Sequence, residues 1–350
     1  MTGQGVCGKQ TPCNTMNKLL RAILIIHPFT QYIFFRLEPL IARVLTLTGV
    51  VAILIIYLYS LKEEKRKVTI PWLWPYILVQ SIFLGLPNYC IHISIFFLLY
   101  TTIAQMKIDW KYILYPLGYV CIVMSLLSIL QEFGINQFKY NWSDNPGLLG
   151  NSTDTAMYIA AISPFVLLLK RGWLYFIIPM IAIWILNSAS AVLGIFSVIA
   201  GYFIIKKYYC RLGLFLALSM VAICLWFDKI KIFFSPETKL VIWAQAMTDW
   251  KNFAWYGRGL GNFEGRYVIN NIAYHMQNHY LYILYTLGLI GLVLLFLWLI
   301  PHLKNTSAML PYLSVISVMI MAICSVPLRV YPIVLLVGIE LGILANTKTT

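Results

Sequence analysis

The sequence predicts an all-α polytopic membrane protein with about twelve transmembrane helices. Of its 350 residues, 61% are hydrophobic and 11% are charged. A soluble domain is about half apolar and a quarter charged. The apolar residues form runs of helical length, unlike the segments of about ten alternating residues that build an outer-membrane barrel. The predicted fold class is therefore a bundle of apolar helices joined by polar loops.

Each predicted helix corresponds to an apolar run close to the roughly 20 residues that span a bilayer. The predicted spans are about 18–35, 40–60, 71–87, 89–105, 112–131, 153–169, 173–187, 190–205, 211–227, 277–300, 308–325 and 329–346. Pro87 and Asn88 predict a tight turn between the third and fourth. The predicted organisation is a cytoplasmic leader at 1–17, spans one to nine within 18–227, a large periplasmic loop at 228–276, spans ten to twelve within 277–346 and a cytoplasmic tail at 347–350.

Lysine and arginine residues set the predicted orientation. The formal net charge is +14, which in a soluble protein would suggest nucleic-acid binding. Here the positive charges lie in short loops, as topology signals and lipid-headgroup contacts, so no nucleic-acid partner is expected. The loops on one side carry Lys62, Lys65, Arg66, Lys67, Lys107, Lys111, Lys170, Arg171, Lys206, Lys207, Arg211 and Lys304. That side is predicted to be cytoplasmic, with both termini inside and the loops 132–152 and 228–276 outside.

The cysteine pattern indicates neither a metal centre nor a disulfide framework. The seven cysteines are scattered along the chain, without a CxxC pair or a Cys/His cluster of metal-ligand spacing. The sequence therefore predicts a protein that works without a metal or other cofactor.

The large loop is predicted to contain an amphipathic helix over residues 237–252. Its apolar residues at helical spacing are Leu240, Trp243, Ala244 and Met247. Trp250 and Trp255 suit the interface between lipid and water. A cap at the level of the lipid headgroups, without chemistry, is the alternative interpretation.

Alternate glycines come next in the loop, in the run from Gly257 to Gly261. Glycines at such positions let a backbone turn tightly and approach a ligand. Arg258 and Arg266 are candidate diphosphate ligands, because a guanidinium can bind phosphate oxygens through two parallel hydrogen bonds. A solvated or lipid-phosphate contact is the alternative for each arginine.

Two histidines, His275 and His279, flank the start of the tenth predicted span, with Asn278 beside them. Histidine is the usual general base near neutral pH. The pair is therefore a candidate for acid–base chemistry at the outer membrane surface, and a structural role at the interface is the alternative.

Four local patterns occur in an order that matches one known family. Gly150-Asn151 through Ala156 is similar to its Gly-Asn-x-x-x-x-Ala pattern, and Ser188-Ala189-Ser190-Ala191 stands where it often has Ser-Arg-Gly-Ala. Lys239 to Trp243 and Tyr256 to Phe263 are similar to its Arg-x-x-x-Trp and Gly-x-Gly-x-Gly-x-Phe segments. Gln277-Asn278 with Gly288 and Gly291 is similar to its His-Asn-x9-Gly-x-x-Gly signature. With these patterns and its spans, the chain resembles the O-antigen ligase and polymerase superfamily of bacterial membrane glycosyltransferases.

The resemblance implies a GT-C-like glycosyltransferase of the bacterial inner membrane that needs no metal. The implied donor is an oligosaccharide linked to undecaprenyl diphosphate, and the implied acceptor is a hydroxyl of a glycan or lipid. Membrane lipids, a chain-length regulator and a flippase are further implied partners. The implied activity is that of a surface-polysaccharide polymerase or ligase.

The chain departs from the family pattern at three positions, where Gln277 replaces a histidine and Ala189 and Lys239 replace arginines. Because glutamine cannot take a proton, either His279 is the implied base or the transfer relies on positioning of the acceptor and stabilisation of the diphosphate alone. Gln277 and Asn278 are implied to position the acceptor, and Lys239, Arg258 and Arg266 to bind the diphosphate. His275, Trp255 and Tyr256 are implied to contact sugar or lipid. Polymerases of the superfamily vary more than ligases, so the departures favour a polymerase.

Two other classes of function stay open on the sequence. A transporter or flippase for a lipid-linked glycan would be expected to carry charges inside several spans and an internal repeat. The chain shows no evident repeat, and its charges near spans, Arg43 and Glu340, are isolated. An inactive scaffold of a polysaccharide assembly complex is the second alternative, because Gln277 and Ala189 replace family residues.

Overall fold

The computed structural model shows a helical protein. The residues that it describes are 18, 20–22, 24–26, 72–83, 87–105, 109–135, 148–149, 151–225, 236–260, 267–269, 272–274 and 278–347. The predicted span 40–60, the leader 1–17 and the residues Arg266, His275 and Gln277 lie outside this set. So does the side chain of Lys239, although its backbone is helical.

The α-helices are α1 Leu73–Phe83, α2 Pro87–Gln105, α3 Trp110–Glu132, α4 Ser152–Ile162, α5 Gly172–Tyr175, α6 Ile177–Ile185, α7 Ala189–Ile205, α8 Tyr209–Leu225, α9 Pro236–Trp250, α10 His279–Leu303, α11 Met309–Cys324 and α12 Tyr331–Asn346. Three short 3-10 helices lie between these α-helices, at Ser163–Leu168, Lys251–Phe253 and Pro327–Arg329. All ten spans predicted from residue 71 onward coincide with helical segments. Their positions follow the apolar runs of the sequence.

Polar side chains just before a helix fix where several helices begin. Asp109 accepts from the Lys111 nitrogen at 3.1 Å, and Asn151 accepts from the Thr153 nitrogen at 2.8 Å. These bonds satisfy backbone N–H groups that have no partner within the first turn of a helix. The same device recurs at Asn278, which precedes α10.

One feature departs from the all-α prediction. Within the segment predicted as the large loop, strands β1 (Tyr267–Ile269) and β2 (Ile272–Tyr274) form an antiparallel hairpin, with Val268 opposite Ala273. The β-branched residues Val268 and Ile269 suit a strand. A run of three residues is too short for alternation to be recognised in a sequence.

Helix α9 forms where an amphipathic helix was predicted, but with a different buried face. Ile242 and Ala246 are buried, whereas Leu240 is 56% exposed and Ala244 is also exposed. Helix α9 packs against α10. This tertiary contact, rather than the mean apolar direction of the helix, selects the face that is covered.

The helices enclose two apolar clusters. The larger cluster joins α2, α3, α4, α7, α11 and α12, and the closest pairings are α2 with α12 and α7 with α11. The smaller cluster joins α1, α9, the first half of α10, Phe97 of α2 and Leu260 of the loop after α9. Its members are Leu73, Ile77, Phe97, Ile242, Ala246, Leu260, Tyr282, Ile283, Tyr285 and Leu287. It forms the base of the candidate site.

The described helices have the composition of a membrane-associated protein. Helices α3 and α10 are each long and apolar enough to cross a bilayer, and seven shorter apolar helical segments of 10–17 residues accompany them. The outward faces are also apolar, as at Leu214 (62% exposed) and Leu297 (64% exposed). Glu340 and Ser314, by contrast, are fully buried.

Candidate functional site

Helix α10 is broken at Gly288, and a segment of the preceding loop fills the break. Gly288 has φ 69° and ψ −173°, far from helical values. The Arg258 and Gly259 nitrogens donate to the Tyr285 and Thr286 carbonyls, each at 2.9 Å. In return, the Leu289 and Ile290 nitrogens donate to the Ala254 and Trp255 carbonyls, at 2.8 and 3.1 Å. These bonds pair the groups that the break removes from the helix, so loop and helix form one unit.

Two glycines make this close approach possible. Gly257 and Gly288 both have positive φ, at 72° and 69°, a region that residues with a side chain rarely occupy. A Cβ atom added at Gly257 would lie 2.5 Å from the Gly288 nitrogen, and one added at Gly288 would lie 2.5 Å from the Gly257 nitrogen. The two positions therefore admit only glycine.

Helix α1 closes the break from another side. The Tyr76 hydroxyl donates to the Leu287 carbonyl at 2.6 Å, and the Gln80 amide donates to the Thr286 carbonyl at 2.8 Å. Gln80 also donates to the carbonyl of Tyr256 in the loop. Two polar side chains of a mostly apolar helix thus complete the hydrogen bonding of the broken segment.

An ion pair fixes the side chain of Arg258 beside this junction. Its guanidinium pairs with the Asp249 carboxylate at the end of α9, and the two side chains are 21% and 20% exposed. The other carboxylate oxygen accepts from the Tyr285 hydroxyl at 2.6 Å. The guanidinium carbon lies 4.0 Å from the centroid of the Phe253 ring, a cation–π arrangement. Three segments of the chain are thereby joined through one half-buried charged cluster.

His279 is the first residue of α10 and is buried, with 7% of its surface exposed. Asn278 precedes it and caps the helix, because its side-chain oxygen accepts from the Leu281 nitrogen at 3.0 Å. The His279 ring stacks on Tyr282 with centroids 5.8 Å apart. His279, Tyr282 and Tyr285 follow at every third position, so they lie along one side of the helix within about 9 Å.

The remaining predicted site residues are placed differently. Trp255 and Tyr256 lie in the docked loop and are 66% and 48% exposed, so both are open to a ligand or to lipid. Lys239 lies ten residues before Asp249 on α9, or about 15 Å along its axis. The structure thus brings Arg258, Trp255 and Tyr256 to the break and places the Lys239 backbone toward the far end of α9.

Four contributors to the site were not singled out from the sequence: Asp249, Tyr285, Tyr76 and Gln80. Asp249 is one of several acids in a charged loop, and the two tyrosines belong to apolar runs. Gln80 carried a usable signal, because a polar side chain in the middle of an apolar span usually has a specific partner.

Among the described residues, no three His, Cys, Asp or Glu side chains come together in a group that could hold a metal ion. The charged cluster at the break instead consists of a guanidinium, a carboxylate and a phenol.

Comparisons with known proteins give the chain no family. No protein-family model matches it, and no curated protein matches it. The candidate site is therefore defined by its own contacts, namely the broken helix, the docked glycine loop and the charged cluster beside them.

Proposed function

We propose that the chain is a polytopic glycosyltransferase of the bacterial inner membrane, with about twelve spans and both termini in the cytoplasm. The surface supports a membrane location, because the outward faces of helices such as α8 and α10 are apolar while Glu340 and Ser314 are buried. Large apolar surfaces of this kind mark contact with lipid or with other proteins. The charge alternation of the loops supports an orientation with residues 228–276 in the periplasm.

The proposed reaction is glycan transfer from undecaprenyl diphosphate to an acceptor hydroxyl at the outer membrane face. The hydroxyl oxygen forms a bond to the anomeric carbon of the donor. The bond between that carbon and the diphosphate oxygen breaks, and the lipid diphosphate leaves with the electron pair. The hydroxyl proton passes to a base. The groups required are therefore a base, a cationic site for the diphosphate and polar groups that orient the acceptor.

The candidate residues supply these groups. His279 is the proposed base, with Asn278 and Gln277 positioning the acceptor. Arg258, Arg266 and Lys239 are proposed to stabilise the charge on the diphosphate. A guanidinium has five N–H donors, so Arg258 can hold Asp249 and still bind a second anion. Sugar or lipid contacts are assigned to Trp255, Tyr256 and His275.

The observation that carries the proposal is the docking of the Gly257–Gly259 segment on the broken helix α10. It sets the Arg258 cluster beside Tyr285, which lies six residues, or about 9 Å along α10, after His279. Helix breaks at membrane depth are tolerated where protein groups or a cavity satisfy the backbone, and transporters use such breaks to bind ligands. A diphosphate site requires groups held in fixed positions, and the hydrogen bonds at this break hold the backbone in that way.

Deletion of the gene in its native host, followed by gel analysis of surface glycans, tests the proposal. A polymerase deletion leaves a single repeat unit on the acceptor, which is the expected result. A ligase deletion leaves lipid-linked polymer and a bare acceptor. An unchanged glycan pattern would contradict glycan transfer and favour the transporter or scaffold alternatives.

Complementation with variants tests the residue roles. Arg258→Lys and His279→Gln should each reduce polymer formation by at least tenfold, because one removes the planar fork and the other removes the base. Lys251→Ala is the matched control, since this exposed lysine lies in the same loop and should complement fully. A C-terminal fluorescent fusion reports the amount and monodispersity of each variant. Normal ladders from both site variants at wild-type abundance would eliminate the proposed roles.

A further inference from the structure

A cavity lies near the opposite end of α10, where several helices begin or end. Its volume is about 340 Å³, and it is lined by residues from the starts of α3 and α11, the end of α7, the 3-10 helix at 163–168 and helix α5. This volume lies within the range of about 300–1,000 Å³ that is usual for small-molecule sites. The cavity is separated from the break at Gly288 by the rest of α10, a distance of roughly 20 Å.

The walls of this cavity divide into an apolar floor and an aromatic rim. Leu167, Leu168 and Leu310 contribute apolar surface. Trp173 packs edge-on against Tyr202, with ring centroids 4.7 Å apart, and is itself 46% exposed. Tryptophan and tyrosine favour the boundary between lipid and water, where one part of the ring is dry and the other wet.

Two lysines supply the charge of the cavity. Lys111 and Lys206 both line it and are both exposed. The Lys111 ammonium also lies 5.7 Å from the centroid of the Trp110 ring. The nearby carboxylate of Asp109 accepts from the Lys111 and Tyr112 backbone nitrogens, so it is engaged in capping α3. The result is an amphipathic pocket with positive charge at its mouth.

We propose that this cavity binds the phosphate headgroup of an anionic lipid, with acyl chains along the apolar floor and the phosphate between Lys111 and Lys206. An ammonium group binds phosphate as a point charge, and basic pockets between helices on the cytoplasmic side of membranes bind lipid headgroups. The proposal uses the membrane orientation proposed above but not the enzymatic activity. Lipid binding and glycan transfer therefore fail or succeed in separate assays.

The test measures thermal unfolding of the full-length protein purified in a neutral detergent, titrated with dioctanoyl phosphatidylglycerol. Dioctanoyl phosphatidylcholine is the neutral-lipid arm, and glycerol 1-phosphate is the free-phosphate arm. The double variant Lys111→Gln/Lys206→Gln removes both cavity lysines. The double variant Lys170→Gln/Lys207→Gln is matched to it, because it removes two exposed lysines of the neighbouring helix ends that do not line the cavity.

Phosphatidylglycerol should raise the unfolding temperature of the wild type, and phosphatidylcholine should not. The Lys111/Lys206 variant should need at least tenfold more phosphatidylglycerol for half the effect, and the Lys170/Lys207 variant should stay within twofold of the wild type. Stabilisation by glycerol 1-phosphate at equal concentration, dependent on the same two lysines, would support a phosphate site but assign it to a soluble ligand. Equal losses in both variants, or none in either, would overturn the site.

A measurement on the wild type keeps the proposal testable if the cavity variant does not fold. A phosphatidylglycerol with a photoreactive headgroup should label the peptides that contain Lys111 and Lys206, the two cavity lysines. Labelling spread over all loops would overturn the proposal.

Discussion

Helices α3 and α10 are alike in length and apolar composition but differ in how their backbones are satisfied. Both are long and apolar enough to cross a bilayer. Helix α3 runs through Pro116 with helical geometry, and its buried serines bond within the helix, as when Ser125 donates to the Cys121 carbonyl at 2.7 Å. Helix α10 breaks at Gly288, and its freed groups bond to the loop 254–259 and to α1. Apolar length alone therefore does not distinguish a structural helix from one that organises a site.

This difference between α3 and α10 shows that tertiary contacts maintain the break in α10. A backbone group left without a partner in an apolar environment costs several kcal/mol. Helix α3 meets this requirement locally, whereas α10 depends on residues about 30 positions earlier and, through Tyr76 and Gln80, more than 200 positions earlier. Substitutions at the junction should consequently cost more than chemically similar substitutions in α3.

The largest effect is expected from Gly288→Ala or Gly257→Ala. Alanine at positive φ is strained, and its Cβ would meet backbone atoms that cannot move aside. We expect each substitution to lower the free energy of unfolding by about 3 kcal/mol or more, which is a large effect for a single substitution. The unfolding temperature and the monodisperse fraction in detergent measure it.

Gly213→Ala is the matched control for the glycine variants. Gly213 lies in α8, and an added Cβ would meet nothing within 4 Å. Alanine is a better helix former, so a gain of up to about 1 kcal/mol is expected. If Gly288→Ala and Gly213→Ala change the unfolding temperature equally, the docking of the loop does not depend on the close contact between Gly257 and Gly288.

The helices were predictable from the sequence, but the junction was not. Apolar runs locate α1 to α4, α7, α8 and α10 to α12, and one predicted span covers both α5 and α6. The start of α10 near Asn278 was also predicted. The bonds between residues 254–259 and 285–290 have no periodic signal, since they join segments distant in the chain. The glycine pattern predicted that the loop backbone approaches a partner closely. The structure shows that this partner is the backbone at Gly288.

The roles of individual charges were the least predictable part of the candidate site. Arg258 was singled out as a cation for a substrate, and the structure adds its ion pair with Asp249. Nothing in the sequence separates Asp249 from the other acids of the loop. The pairing depends on the register of α9 against α10, which local patterns do not determine.

Asp249→Asn is expected to have the second largest effect. Asparagine keeps the shape but removes the charge that holds Arg258, and it weakens the acceptor for the Tyr285 hydroxyl. Breaking a fully buried ion pair costs about 3–5 kcal/mol. This pair is partly exposed, so we expect the free energy of unfolding to fall by about 2 kcal/mol. A double-mutant cycle with Tyr285→Phe should give a coupling of at least about 0.5 kcal/mol.

Asp109→Asn, at the residue before α3, is the control for Asp249→Asn. Asp109 caps the helix from an exposed position, and asparagine caps about as well as aspartate. Its unfolding temperature should match that of the wild type. Equal losses at Asp109 and Asp249 would mean that the ion pair with Arg258 contributes nothing specific.

The smallest effect is expected from Tyr76→Phe, which removes one hydroxyl from α1. That hydroxyl supplies a hydrogen bond to the Leu287 carbonyl just before the break, so its loss should cost about 1 kcal/mol. Ser125→Ala in α3 removes one hydroxyl too, but its acceptor, the Cys121 carbonyl, lies inside a continuous helix. Such back-bonding slightly destabilises helices, so this change should be neutral within about 0.5 kcal/mol. Because the two variants delete the same group, a larger loss at Ser125 than at Tyr76 would show that the break in α10 does not depend on the Tyr76 hydroxyl.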